Sequence, residues 1–409
     1  MGKVPLGTIA ESVGTPVYAY NVEVIRDRYR RLDAAFAAVP HHIHYAAKAN
    51  STLAVLRLFR DLGAGADIVS AGELARCLTA GFSPERIVFS GVGKTDAELE
   101  AAVANEVGAI HVESLDELAI LGAIAERQGR AVRVGIRVNP DVLTETHPFI
   151  STGQHGIKFG VPMDQVDEAV HRVTEHPGLR LTTLAMHLGS QLLDLEPYAA
   201  GVRRLVEWVV ELQQRGIETL NIVDIGGGLG IRYFDERPPE PEALAAVLVP
   251  LLLPTGLTVH LEPGRFLVGS AGILLTRVLY RKHSGGKAFL VVDCGMNDLV
   301  RPSRYGAYHD IVELRPRGGE AVSVDVVGPV CETGDFLALD RALPPVERGD
   351  VLAVLGAGAY GFVMASSYNS RPRPPEVLVD GERWGVARQR ETVEDLIRGE
   401  TVAPLTIDG

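Results

Sequence analysis

Short apolar runs alternate with longer amphipathic segments from residue 43 onward. Each run has the length of a strand that is buried on both faces of a parallel sheet. Before residue 264 there are eight such runs, at residues 43–49, 66–70, 86–91, 109–114, 132–138, 182–189, 221–228 and 258–263. Eight strand–helix units in about 240 residues have the size of a (β/α)8 TIM barrel. A doubly wound sheet needs no particular number of strands, so the count of eight favours the barrel.

The segments between the runs carry signals for helix starts. A hydroxyl residue is followed three positions later by glutamate at Ser70–Glu73, Thr95–Glu98 and Ser114–Glu117. In this spacing the hydroxyl caps an amide of the first helical turn, and the glutamate returns a hydrogen bond to the capping residue. We therefore expect helices to begin directly after the second, third and fourth runs.

The pattern changes at about residue 275. Apolar runs at 272–280, 287–293, 321–328 and 350–357 are separated by turns and show little helical periodicity. Such runs are typical of a mainly antiparallel β domain. The sequence thus predicts a barrel over 25–275 and a C-terminal β domain over 276–409, which residues 1–24 join.

Composition narrows the class of protein. The chain has 409 residues, 46% of them hydrophobic, and 40 basic against 52 acidic side chains give a net charge of −12. This charge argues against a nucleic-acid partner. Three cysteines without metal-site spacing favour a reducing compartment, and the N-terminus lacks the apolar core of a signal peptide. We expect a cytoplasmic protein with no membrane partner and no metal.

Chemistry in a TIM barrel lies at the carboxyl ends of the strands. The residues at those ends are Lys48, Arg137, Asn139, His187, Gly189, Ser190, Gly226, Gly227, Gly228, Glu262, Pro263, Gly264 and Arg265. Taken singly, Lys48 is more often a surface lysine, His187 a core histidine and Glu262 an ion-paired carboxylate. Their joint occurrence at one mouth makes a functional site the better interpretation.

The glycine run after the seventh strand suggests which cofactor this site takes. Backbone amides without side chains can approach an anion, and TIM barrels often bind phosphate near strands seven and eight. A phosphate site together with Lys48 points to pyridoxal 5'-phosphate held as a Schiff base. Glu262 is then expected to face the pyridine nitrogen and keep it protonated, and His187 to stack on the ring.

Seven ordered motifs carry a resemblance to a known family. They are YAAKAN, HLGSQ, DIGGGLG, EPGRFLVGSAG, GMNDLVRPSRYGAYH, GPVCETGDFLA and GAYGFVMASSYNSRPRPPEVL. From residue 16 to residue 379 the chain resembles the pyridoxal-phosphate-dependent, alanine-racemase-like (fold-type III) decarboxylases. Within them it is most similar to the branch that converts meso-2,6-diaminopimelate to L-lysine and CO2, the last step of lysine biosynthesis. The resemblance implies a barrel with a C-terminal β domain and a homodimer that shares its active sites.

The resemblance also implies a role for each matching residue. Lys48 would hold the cofactor, and Cys331 would donate a proton to the product. Cofactor contacts would come from Lys48, His187, Ser190, Gly227, Gly228, Glu262, Gly264, Arg265 and Tyr360. Substrate contacts would come from Arg265, Arg301, Tyr305, Glu332 and Tyr360. Cys331 and Glu332 would reach the site from the neighbouring subunit.

Arginines suit a substrate with two carboxylates, because a guanidinium grips a carboxylate through paired donors. Arg304, in the same motif, is an alternative to Arg301 as the residue that binds the carboxylate. Cys331 could instead be a small, buried hydrophobic residue without a catalytic role. The chain departs from the family pattern at Thr333, where serine is common. It departs again at Gly156 and Ile157, in the loop 150–160, so the behaviour of that loop as a lid is left open.

Three rival functions remain. A decarboxylase of ornithine, arginine or lysine would need an acid where this chain offers Arg301, because those substrates end in a cation. A racemase of this fold would place an arginine where Glu262 stands. A non-catalytic cofactor-binding homologue would have lost Lys48 or Cys331, and both are present.

Overall fold

The computed structural model describes residues 1–142 and 157–402. The chain forms two compact units. The barrel unit contains Asn21–Gly272 and Gly358–Val363, and the sheet unit contains Met1–Tyr20, Ile273–Ala357 and the chain from Met364 onward. Part of the loop 150–160, including Gly156, lies outside the described residues.

Eight parallel strands close the barrel, as the eight apolar runs predict. In chain order they are β2 (His41–Ala46), β3 (Gly65–Ile68), β4 (Ile87–Phe89), β5 (Ala109–Val112), β6 (Val132–Arg137), β7 (Leu179–Ala185), β8 (Ile222–Asp224) and β9 (Thr258–Leu261). Each strand pairs with its successor, and β9 returns to β2. The expected TIM barrel is therefore confirmed.

Helices connect the strands of the barrel unit. They are α2 (Val22–Ala35), α3 (Leu53–Asp61), α4 (Ala71–Thr79), α5 (Asp96–Ala104), α6 (Leu115–Gln128), α7 (Val166–Glu175), α8 (Glu196–Gln214), α9 (Pro241–Leu252) and the short α10 (Arg265–Val268). Every helix in the described part of the chain is too short or too polar to cross a membrane.

All three expected helix starts are present. The hydroxyls of Ser70, Thr95 and Ser114 each accept the amide hydrogen three residues on. Of these three helices, the one that begins after Thr95 has the reciprocal bond of a full capping box, in which the Glu98 side chain accepts the Thr95 amide hydrogen. At the other two helices the glutamate accepts from the residue before the cap, Val69 or Glu113. The spacing thus predicts the cap but not which amide the glutamate chooses.

The sheet unit is built on one nine-stranded sheet. Its strands are β1 (Val17–Asn21), β10 (Gly272–Ser284), β11 (Lys287–Val292), β12 (Ile311–Glu313), β13 (Val322–Val327), β14 (Phe336–Leu343), β15 (Val351–Val354), β16 (Glu376–Asp380) and β17 (Arg383–Arg388). Its helices are α1 (Leu6–Val13), α11 (Arg301–Tyr305) and α12 (Val393–Leu396). Antiparallel pairs predominate, and β11 with β13 is a parallel pair. The expected mainly antiparallel β region is confirmed, and β1 shows that the N-terminus contributes to it.

Apolar side chains from the N-terminal segment and from the sheet form one core in this unit. Ile9 of α1 and Val17 of β1 are fully buried in it, together with Leu275 of β10 and Val377 of β16. This burial explains why residues near the start of the chain belong to a sheet whose other strands come some 250 residues later.

Candidate active site

Lys48 lies directly after β2, in a helical turn over Ala47–Ala49 at the mouth of the barrel. Its Nζ donates a hydrogen bond of 2.6 Å to Oδ2 of Asp67, a fully buried carboxylate within β3. Burial would lower the pKa of Lys48, but the charges of Asp67 and Glu262 outweigh it and raise the pKa above its usual value. The structure thus brings this lysine to the position that the sequence predicts and pairs it with an acid.

Glu262 follows β9 and is 8% exposed. Burial, with Asp224 and Asp67 nearby, raises the pKa of Glu262 well above its usual value. Ser90 Oγ lies 3.5 Å from its Oε1. Among the described residues, no lysine or arginine forms an ion pair with Glu262, and a protonated ring nitrogen would supply a cation there.

The backbone after β8 turns tightly through three glycines. A Cβ on Gly227 would lie 2.1 Å from the carbonyl oxygen of Glu262, and one on Gly228 would lie 2.3 Å from that of Gly189. Gly228 also has a φ of +111°, which L side chains rarely adopt. Its amide, like that of Gly264, donates to no acceptor in the described ranges 1–142 and 157–402. Two backbone donors are therefore available for an anion.

His187 follows β7 and is half-buried. Its Nδ1 accepts a hydrogen bond of 3.2 Å from the amide of Gly227. Burial, followed by the positive charges of Arg137 and Lys48, lowers the pKa of His187 well below its usual value. A neutral imidazole tied to the glycine turn can present its flat face to an aromatic ring.

Arg265 stands at the start of α10 and is 5% exposed. Its Nε and Nη2 donate to Ser190 Oγ at 3.2 and 3.0 Å, and its Nη1 donates to the Tyr233 hydroxyl at 2.7 Å. The ring of Tyr360 lies 4.8 Å from its guanidinium carbon. The Tyr360 amide in turn donates to the Ala49 carbonyl oxygen, which fixes this tyrosine one residue from Lys48. Ser190, Arg265 and Tyr360 thus form one cluster within the barrel unit.

Arg301 and Tyr305 lie on α11 of the sheet unit. Arg301 is 6% exposed, and its Nε donates to His309 Nε2 at 3.2 Å. Arg304, the alternative in the same motif, is exposed and lies over the ring of Tyr305. Burial and a fixed side chain favour Arg301 as the binding residue, since surface arginines are mostly solvated.

Cys331 and Glu332 occupy a turn between β13 and β14 in the sheet unit, and both are exposed. The Cys331 amide donates to Oδ1 of Asn369 at 2.7 Å. The interpretation of Cys331 as a buried hydrophobe is therefore wrong. Thr333, the departure from the family pattern, is also exposed.

The residues of the barrel mouth fit pyridoxal phosphate. Lys48 supplies an amine, the Gly228 and Gly264 amides supply donors for a phosphate, and Glu262 supplies a buried carboxylate for the ring nitrogen.

Comparisons with known proteins agree with this fit. The sequence profile described as "Pyridoxal-dependent decarboxylase, pyridoxal binding domain" matches residues 22–269. Diaminopimelate decarboxylase of Pseudomonas aeruginosa is 47% identical to this chain, with 98% of this chain and 96% of that protein covered. The chain belongs to the diaminopimelate decarboxylase family. Pyridoxal phosphate, the cofactor of the family, is its cofactor.

Two further members of the family show how far the likeness extends. The enzyme of Aquifex aeolicus is 46% identical over 96% of this chain and 93% of its own length. The crystal structure of diaminopimelate decarboxylase from Helicobacter pylori complexed with L-lysine has a TM-score of 0.93 at 40% identity, covering 96% of this chain and 98% of that one. The likeness therefore includes both units of the chain.

Several residues of the site escape sequence reasoning. Asp67 and Asp224 lie inside apolar strands, where an acidic residue is itself a signal of a functional site. His111 and Ser90 lie beside Glu262 through contacts that no local pattern predicts. Tyr233 holds Arg265 across 32 positions of sequence.

Proposed function

We propose that this protein removes CO2 from meso-2,6-diaminopimelate and releases L-lysine, the last step of lysine biosynthesis. The observation that carries decarboxylation is the buried Glu262 at the barrel mouth beside Lys48, with an acid where a racemase of this fold would place an arginine. The substrate follows from the relatives, which are diaminopimelate decarboxylases over nearly the whole chain, and one of which is complexed with L-lysine.

Bound pyridoxal phosphate supplies an electron sink for the bonding pair that CO2 leaves behind. Lys48 would hold the cofactor through its side-chain amine. Glu262 would place a negative charge near the ring nitrogen and so favour its protonated form. His187, a neutral imidazole, would contact the ring without adding a competing charge, and Gly227, Gly228, Gly264 and Ser190 would contribute to the phosphate site.

The remaining residues select the substrate. Arg265, Arg301, Tyr305 and Tyr360 hold the distal carboxylate, and Glu332 meets the distal ammonium group. A substrate with a carboxylate and an ammonium at its far end can bind both the arginines and Glu332. Ornithine, arginine and lysine have no carboxylate at their far end, so they offer these arginines no anion to bind there.

Cys331 donates its thiol proton to the carbon that has lost CO2, and solvent restores that proton. We propose that Cys331 and Glu332 come from the neighbouring subunit of a homodimer with shared sites. We also propose that the protein is cytoplasmic, that residues 25–275 form the cofactor-binding domain, and that 276–409 with 1–24 form the second domain.

The reaction is tested with the cofactor-loaded protein and meso-diaminopimelate labelled in its carboxyl carbons. We expect labelled CO2 and L-lysine in equal amounts, and no release from the Lys48→Ala variant. Conversion of meso-diaminopimelate to its stereoisomers without CO2 would instead indicate a racemase.

A further inference from the structure

Asp224 ends β8 and is completely buried. Its Oδ1 accepts the amide hydrogen of Gly226 at 2.8 Å, which ties it to the glycine turn. Apart from the carboxyl group of Glu262, its Oδ2 has no hydrogen-bond partner among residues 1–142 and 157–402. Burying a charged carboxylate oxygen that accepts no hydrogen bond costs free energy, and protonation of the carboxyl removes that cost.

Another carboxyl group and an imidazole lie close to Asp224. One ligand atom each of Asp224, Glu262 and His111 lies within 4.8 Å of the others. His111 Nδ1 is 3.9 Å from Glu262 Oε1, and Ser90 Oγ lies 3.4 Å from that nitrogen. Burial, with the charges of Lys94, His44 and Arg137, lowers the pKa of His111 to about 3, so this imidazole is neutral and cannot balance the acids.

The charged groups that face Asp224 do not compensate it either. The negative charge of Asp67 raises the pKa of Asp224, and a hydrogen bond with the Glu262 carboxyl lowers it. The positive charge of Lys48 is engaged by Asp67 at 2.6 Å. Arg137 is engaged by Glu113 at 2.8 Å, and His187 is neutral. Three buried carboxyls thus lie near one another with too few cations, and the pKa of Asp224 rises to about 7, chiefly through burial.

Geometry indicates where the proton resides. A proton on Oδ2 of Asp224 converts an acceptor without a donor into a donor for Glu262. Glu262 already has a donor candidate in Ser90 and faces the ring nitrogen, so it is the better place for the charge.

We propose that Asp224 is a positioning residue that stays protonated in the holoenzyme and donates a hydrogen bond to Glu262. Glu262 thereby remains the anion that the ring nitrogen needs. The same carboxyl, through Oδ1, fixes the glycine turn relative to Glu262. This inference rests on the proposed role of Glu262 at the ring nitrogen, and it adds the group that sets the charge of Glu262.

The test compares Asp224→Asn with Asp224→Ala. Asparagine is neutral, can accept the Gly226 amide hydrogen and can donate to Glu262, so it reproduces the protonated acid. Infrared spectra of the substrate-free holoenzymes report the carbonyl stretch of a protonated buried carboxyl. We expect this band in the wild type and its loss in Asp224→Asn. With 15N-labelled cofactor, the ring nitrogen should stay protonated in the asparagine variant and lose its proton in the alanine variant.

Turnover provides the second readout. Asp224→Asn should keep kcat within about threefold of the wild type, and Asp224→Ala should lose on the order of a hundredfold. The proposal is overturned if the infrared band is absent from the wild type or persists in Asp224→Asn. It is equally overturned if Asp224→Asn fails to fold or loses the ring proton, because the amide supplies the neutral donor that the proposal assigns. Infrared and nitrogen signals need no substrate, so failure of the proposed reaction is distinguishable from failure of this inference.

Discussion

Single residues at the barrel mouth depend on one another for their charge. Lys48, which is half-buried, remains a cation because Asp67 accepts its hydrogen bond, and Glu262 is available to a cofactor because Lys48 is already paired. In such a cluster, loss of one member changes the protonation of the others. Predictions at this scale therefore need a readout for the cofactor as well as for turnover.

Replacing Lys48 by alanine removes the amine that holds the cofactor. We expect the purified variant to lose the visible absorbance of the lysine-bound cofactor and all measurable CO2 release. Absorption spectra after incubation with pyridoxal phosphate check this, with Lys282→Ala on the exposed end of β10 as the control. Retained absorbance in Lys48→Ala would assign the bond to another amine.

The two arginines of α11 offer a matched pair. Arg301 is buried and Arg304 is exposed, on the same short helix. Arg301→Leu should lower kcat/KM for meso-diaminopimelate by about a hundredfold, since an ion-paired contact with substrate contributes a few kcal/mol. Arg304→Leu should lower it less than about threefold. If steady-state kinetics showed the larger loss of kcat/KM in Arg304→Leu, Arg304 would be the residue that binds the substrate carboxylate.

Elements place these residues where they can meet. Each barrel strand ends at one rim, so Lys48 after β2 and Glu262 after β9 are neighbours because β9 pairs with β2. The glycine turn after β8 fits because Gly227 and Gly228 have no side chains. The carbonyl oxygens of Glu262 and Gly189 occupy the space that a Cβ at these positions would need. The rim is thus a product of strand register and of one side-chain-free turn.

Gly228→Ala tests that turn. The added methyl group would lie 2.3 Å from the Gly189 carbonyl oxygen, so the turn must shift and its amides lose their direction. We expect cofactor affinity to fall at least tenfold, a change of about 1.4 kcal/mol. Gly216→Ala is the control, because Gly216 also has a positive φ but nothing within 4 Å of the new methyl group. Equal losses of affinity in both variants would attribute the effect to backbone strain alone.

The sequence predicts the strands and helices, but it does not predict the contacts between side chains within the site. Apolar run length and a count of eight suffice for the barrel, and the hydroxyl–glutamate spacing suffices for three helix starts. The strand-end positions of Lys48, His187 and Glu262 follow from the same count. Asp67 and Asp224 could not be assigned, because a strand pattern does not say which side chains face the same interior space. Their effect on Glu262 arises only when strands distant in sequence close into a barrel.

At the scale of the whole molecule, the proposed site needs two copies of the chain. Cys331 and Glu332 are exposed in the sheet unit, a setting that suits residues presented to another subunit. Cys331→Ala should bind the cofactor and lower kcat by about 10²–10⁴-fold, the range for loss of a proton donor. Stopped-flow and steady-state rates check this loss.

Mixing two inactive variants tests the shared site. When Lys48→Ala and Cys331→Ala chains reassociate at random, half of the dimers are mixed and each mixed dimer has one intact site. We expect roughly a quarter of wild-type activity to return. No recovery, despite mixed dimers in native mass spectra, would place Lys48 and Cys331 of one site in the same chain.

The most direct test of the proposed function compares substrates. Initial rates of CO2 release are measured for the cofactor-loaded protein with meso-diaminopimelate, L-ornithine, L-arginine and L-lysine at equal concentration. The account predicts release from meso-diaminopimelate alone, with L-lysine as product. Faster release from one of the mono-carboxylates would contradict it, because Arg265, Arg301 and Glu332 would then not select the distal end of the substrate.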